Sequence, residues 1–185
     1  MKYSYKIRKN IYKDAWNWWD ACNYSSHGMI WKNQVDDDFA NKLIGKTNKE
    51  ANKILIPFLK KVYIDQEKEI SETKTFFKKE FDQKFQEGCI KIVNVMGKPI
   101  YRYDFTFYLT TMKRCPYFKP RGAIFLCVFW NNPMEVFLHE LCHFQFIHYW
   151  RENPKSEVSK LSNEQFEFLK ESLTMILDVT AHLPS

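Results

Sequence analysis

Two histidines and a glutamate stand out in the run Phe137-Leu138-His139-Glu140-Leu141-Cys142-His143-Phe144. On a helix, residues four apart share a face, one turn above each other. His139 and His143 can therefore turn two imidazoles toward one metal ion. Glu140 lies about 100° round the helix, within reach of a water held at that ion and able to take its proton. Imidazole suits zinc, and a catalytic zinc takes three protein ligands and keeps one position for water.

The flanking residues place the H-E-x-x-H run inside a helix. Asn132 is a natural N-cap, Pro133 fits the first helical position, and Glu135 is spaced to close a capping box. From Met134 to Trp150 there is neither Gly nor Pro. The neighbours Val136, Phe137, Leu138, Leu141, Phe144, Phe146 and Ile147 are apolar, so the helix is expected to be buried. Two histidines and a glutamate in such a helix need partners, because unpaired polar groups there are costly.

The stretch resembles the zinc-binding helix of the zincin metallopeptidases. Two histidines need a third ligand. The metzincin extension would put Gly at 146 and His at 149, where this chain has Phe146 and Tyr149. His148 lies about 180° round the helix from His139 and faces away from the pair. Gluzincins take their third ligand from a glutamate on a following helix, and the last helix of this chain offers Glu164, Glu167 and Glu171. Glu164 and Glu167 fall in its polar opening turns, where acids suit the helix dipole. Glu171 sits among Phe168, Leu169, Leu173, Thr174 and Met175, where a carboxylate needs a partner such as zinc. Glu171 is the preferred ligand. Some gluzincins carry a second acid four residues after the ligand, and Glu167 followed by Glu171 also fits that arrangement.

The resemblance covers the last third of the chain and implies a minimal, gluzincin-like zinc metallopeptidase acting on peptide or protein substrates. His139, His143 and Glu171 would hold Zn2+, and Glu140 would be the general base. The strand before the motif helix would pair with extended substrate along a sheet edge. Tyr149, Tyr117, Arg114 and His182 are candidates for stabilising an oxyanion. Two other classes fit the same residues: a metal-dependent hydrolase of a non-peptide bond, and a binding module whose zinc is structural. Glu140 speaks against the second, since a structural site needs no base.

The rest of the chain must position this helix. Its 185 residues suffice for one domain, with 45% hydrophobic and 17% aromatic residues, which excludes a disordered chain. The net charge is +6, but the lysines are scattered through amphipathic stretches, a pattern of solvated faces more than of a nucleic-acid surface. No apolar segment follows the N-terminal Met1-Lys2-Tyr3, and the longest apolar run, 123–130, is too short for a bilayer. A cytoplasmic protein with no membrane contact is the expectation. Five widely spaced cysteines without a C-x-x-C suggest reduced, buried thiols, Cys142 among them.

Periodicity predicts a helix from Ile11 to Asn23 bearing Trp16, Trp18 and Trp19, mostly as packing residues. Residues 24–35, with His27, read as a loop. A short helix over 36–44 closes at Gly45, and Thr47 to Glu50 opens another, with Pro57 kinking or dividing it. A further helix runs from about 71 to 87 and stops at Gly88. Residues 89–95 and 100–111 are rich in β-branched and aromatic residues around Met96-Gly97-Lys98-Pro99, which predicts a hairpin. The strand 123–130, the motif helix and a last helix opened by Ser162 to Gln165 complete the chain. The expected fold is α+β and zincin-like, a single domain over 1–185. It comprises a helical part (1–88), then a small antiparallel sheet with the two site-bearing helices (89–185).

Overall fold

The computed structural model describes residues 2–24 and 30–181, with side chains in the last helix as far as Thr174. His27 and His182 lie outside the described residues. The fold is α+β: strand β1 (Ser4–Lys9), helices α1 (Ile11–Asn23), α2 (Asp37–Asn41), α3 (Asn48–Asp65) and α4 (Glu67–Met96), strands β2 (Asp104–Thr110), β3 (Tyr117–Phe118) and β4 (Ala123–Cys127), and helices α5 (Pro133–Phe146) and α6 (Asn163–Ala181). No helix among the described residues is long and apolar enough to cross a membrane. The chain divides into two compact units interleaved along the sequence. Residues 1–4, 80–104 and 132–185 form one, and 5–79 with 105–131 form the other. The sequence boundary at residue 88 falls inside α4.

Several expected elements are present. Asn10 caps α1, its side chain accepting from the Tyr12 and Lys13 N–H groups. The capping box at Thr47 is complete, with Glu50 accepting from the Thr47 N–H at 2.9 Å and Thr47 from the Glu50 N–H at 3.3 Å. Pro57, expected to kink or divide this helix, does not divide it: α3 runs through it as one helix. The tryptophans pack: Trp16 against Phe118 and Phe125, Trp18 against Phe39 and Phe58, and Trp19 against Tyr24.

The predicted hairpin is absent, and residues 89–96 belong to α4. Phe81, Phe85, Cys89 and Ile92 are all buried while Ile90 and Val95 are exposed, a helical period and not an alternating one. Gly88 does not end this helix. A Cβ there would come within 3.0 Å of Leu138 and Met134 side-chain atoms, so the missing side chain lets α5 approach α4 closely. The stop is Gly97, whose φ of 61° suits a C-terminal cap and whose N–H donates to the Val93 carbonyl at 2.9 Å.

The sheet is mixed, not antiparallel, in the order β1-β2-β4-β3. β2 and β4 run parallel in the register Thr106↔Ala123 to Thr110↔Cys127, whereas β3 pairs antiparallel with β4. Parallel neighbours need a long crossover. The stretch 111–122 provides it and lays β3 along the far side of β4. The strand expected at a sheet edge therefore has neighbours on both sides, and β1 and β3 hold the edges. β1 itself had no counterpart among the sequence expectations.

In this second unit, Asp14 is a fully buried carboxylate with every lobe occupied. Its Oδ1 accepts from Thr110 Oγ1 at 2.6 Å and the Thr111 N–H at 3.0 Å. Its Oδ2 accepts from Tyr63 Oη at 2.8 Å and Thr111 Oγ1 at 2.9 Å. Asn17 and Trp18 extend the network by donating to the two threonine hydroxyls. Burial pushes the Asp14 carboxyl above its usual range, against the pull of these hydrogen bonds.

Candidate metal centre

α5 is held in the first unit from three directions. Phe137 packs on Phe81 and Phe85 of α4, with ring centroids 6.0 and 4.9 Å apart. Buried aromatic side chains of this kind each contribute about 1.5–3 kcal/mol. Gln145 is fully buried, donates to the Pro99 carbonyl at 2.8 Å and accepts from the Tyr101 N–H at 2.9 Å. The helix then widens into a π-helical turn over Ile147–Arg151. Arg151 gathers the returning loop from there, donating to the carbonyls of Val158 and Leu161 at 3.2 and 2.8 Å and to Asn163 Oδ1 at 2.9 Å. Phe146 stacks on Phe166 of α6 with nearly parallel rings 5.6 Å apart. At the start of α6, Ser162 and Gln165 form the expected reciprocal cap. At the start of α5, Asn132 instead donates its side-chain amide to Glu135.

This framework brings α6 across the histidine face of α5. The Nε2 atoms of His139 and His143 are 2.9 Å apart. Glu171 Oε2 lies 3.7 Å from the first and 3.5 Å from the second. Ligands in a tetrahedral zinc site with bonds of about 2.0–2.1 Å sit about 3.3 Å from each other. The three separations straddle that value, so the three donor atoms stand close enough together to share one zinc ion. The two imidazoles are in hydrogen-bond contact across the His139–His143 separation.

Glu140 is 9% exposed, and its Oε2 has no hydrogen-bond partner among the described residues. Ligand atoms of His139, Glu140 and His143 all lie within 4.8 Å of one another. Burial holds the Glu140 carboxyl well above the usual range; the Lys170 charge pulls it down and the Glu171 charge pushes it up. A buried carboxylate oxygen that nothing bonds is costly unless a polar ligand or water meets it.

Of the three glutamates on α6, Glu171 is the one beside both histidines. Glu167 accepts instead from Lys170 Nζ at 2.7 Å. Glu171 is less enclosed than its apolar neighbours in sequence suggested, with a side chain 38% exposed and Lys170 beside it. His148 is exposed on the π-helical turn against Tyr101, Tyr149 and Glu152. Tyr149 donates its hydroxyl to the Pro99 carbonyl. Arg114, ion-paired with Asp20, and Tyr117 belong to the other unit. Cys142 is buried beside Met96, and burial pushes its thiol up to about 11. Sequence reasoning passed over Lys170 and Arg151, although a lysine three residues after Glu167 and one before Glu171 was a readable signal.

Comparison of the chain with family models, with curated proteins and with solved structures finds no match in any of the three. The resemblance to zincins thus rests on the sequence motif.

Proposed function

We propose that the chain is a zinc metallopeptidase, hydrolysing peptide bonds with Glu140 as general base. One observation carries the reading: ligand atoms from His139, His143 and Glu171, on two helices, converge to mutual distances of 2.9–3.7 Å beside a buried carboxylate. Two imidazoles and a carboxylate are a donor set of catalytic zinc. Bound zinc supplies Lewis acidity toward a carbonyl oxygen and lowers the pKa of water. Glu140 takes the proton of the attacking water and delivers it to the leaving amine.

The place of β4 inside the sheet removes the edge expected to pair with a peptide, and this favours a second reading, hydrolysis of a non-peptide bond at the same centre. One experiment separates them. The purified protein is incubated with an unfolded protein and with a panel of activated esters, with chelator and after zinc add-back. The peptidase reading expects fragments that vanish with chelator and return with zinc. Zinc-dependent ester cleavage without fragments supports the second reading, and zinc binding without either contradicts both.

A further inference from the structure

Lys170 is a buried ammonium beside the proposed ligand. It is 2% exposed, and its Nζ lies 2.7 Å from Glu167 Oε2 and 3.4 Å from Glu171 Oε1. The two oxygens of Glu171 thus face different partners: Oε1 faces Lys170, and Oε2 faces the two histidine Nε2 atoms. Its side chain is 38% exposed, so the packing around it leaves room for other orientations. The cation on its outer oxygen selects one of them. The buried Lys170 has few orientations of its own, and its bond to Glu167 fixes where the ammonium stands.

We infer that Lys170 is a positioning residue for the metal site: it holds Glu171 by Oε1 so that Oε2 is presented to the ion shared with His139 and His143. This rests on the proposed metal centre. Partners that orient ligands from outside typically contribute 10–100-fold to metal affinity. The opposite sign is also physically available. An ammonium can compete with a metal ion for the same carboxylate, and removing it would then tighten binding. The two roles are separable because they move the affinity in opposite directions.

The test is titration with Co2+, followed by its visible absorption, and competition with Zn2+. It uses the wild type, Lys170→Met, Glu171→Gln and the double variant, with thermal unfolding of each metal-free protein as a check on the fold. Lys170→Met is expected to bind Co2+ about 10–100-fold more weakly with an altered spectrum. In the Glu171→Gln background the same change should add little, because Lys170 acts through Glu171. Equal or tighter binding by Lys170→Met, with wild-type binding intact, overturns this role and leaves the metal centre standing. So does an undiminished loss in the Glu171→Gln background. A wild type that binds neither metal overturns the centre and this role together. If the methionine variant does not fold, Lys170→Gln carries the same comparison.

Discussion

Asp14 and Glu140 are both buried carboxylates, one in each unit, and they are treated in opposite ways. Asp14 accepts four hydrogen bonds, from Thr110, Thr111 and Tyr63, and nothing further can reach it. Glu140 is almost as buried, yet one of its oxygens has no partner among the described residues. A carboxylate closed by donors is an anchor. It ties α1 and α3 to the end of β2 and its cost is met within the fold. Under the proposed function, a carboxylate left open beside two convergent imidazoles is the group kept for chemistry, and the fold bears its cost.

The contrast is broken or sharpened most strongly by exchanging each acid for its amide or for alanine. Glu140→Gln should lower hydrolysis by about 10²–10⁴-fold while zinc stays bound, since the amide keeps the shape but takes no proton. Initial rates at saturating zinc decide this, and wild-type rates in the variant would remove Glu140 from the mechanism. The same variant should unfold at a temperature equal to or above that of the wild type. Asp14→Ala should cost about 2–4 kcal/mol in urea unfolding, because it strands buried donors on Thr110, Thr111 and Tyr63. Equal stability losses at the two positions would erase the distinction.

A smaller effect is expected where the helices meet. Gly88→Val should destabilise by about 1–3 kcal/mol by pressing on Leu138 and Met134, and should weaken metal binding by shifting α5. Unaltered unfolding and zinc affinity would show that the close approach has no bearing on the site.

The smallest expected effect is one of pH. The Asp14 carboxyl is raised in the fold, so the folded chain holds its proton to higher pH than the unfolded one. Its contribution to stability is fullest below the unfolded value of about 4 and declines as pH rises through the folded value. The stability difference between wild type and Asp14→Asn should therefore shift against the wild type over that window. A difference constant with pH would mean that Asp14 ionises in the fold as it does in the unfolded chain.

The helices that carry the site were legible because their signals are local. Asn132-Pro133 and Ser162 to Gln165 mark starts, and the i, i+4 histidines need only a helix to converge. Glu171 was preferred for its apolar neighbourhood, a reason that missed the lysine next to it, and the structure sets it beside both histidines. The hairpin was misread because Ile90, Ile92, Val93 and Val95 favour strands locally, while the buried face of Phe81, Phe85, Cys89 and Ile92 favours a helix, and packing decides between them. Gly88 was taken for a stop when its role is close approach, which depends on α5 and cannot be seen in α4 alone. The order of the sheet rests on the pairing of β2 with β4 across a long crossover, a non-local fact without a motif.

The central claim is that His139, His143 and Glu171 hold one metal ion, and zinc content tests it most directly. Wild type, Glu171→Ala and Glu167→Ala are loaded with zinc, dialysed against a weak chelator and assayed for metal per chain. The account predicts about one zinc retained by the wild type and by Glu167→Ala, and loss of zinc from Glu171→Ala, which keeps only two imidazoles. Retention by Glu171→Ala with loss from Glu167→Ala, or no zinc in the wild type, would contradict it.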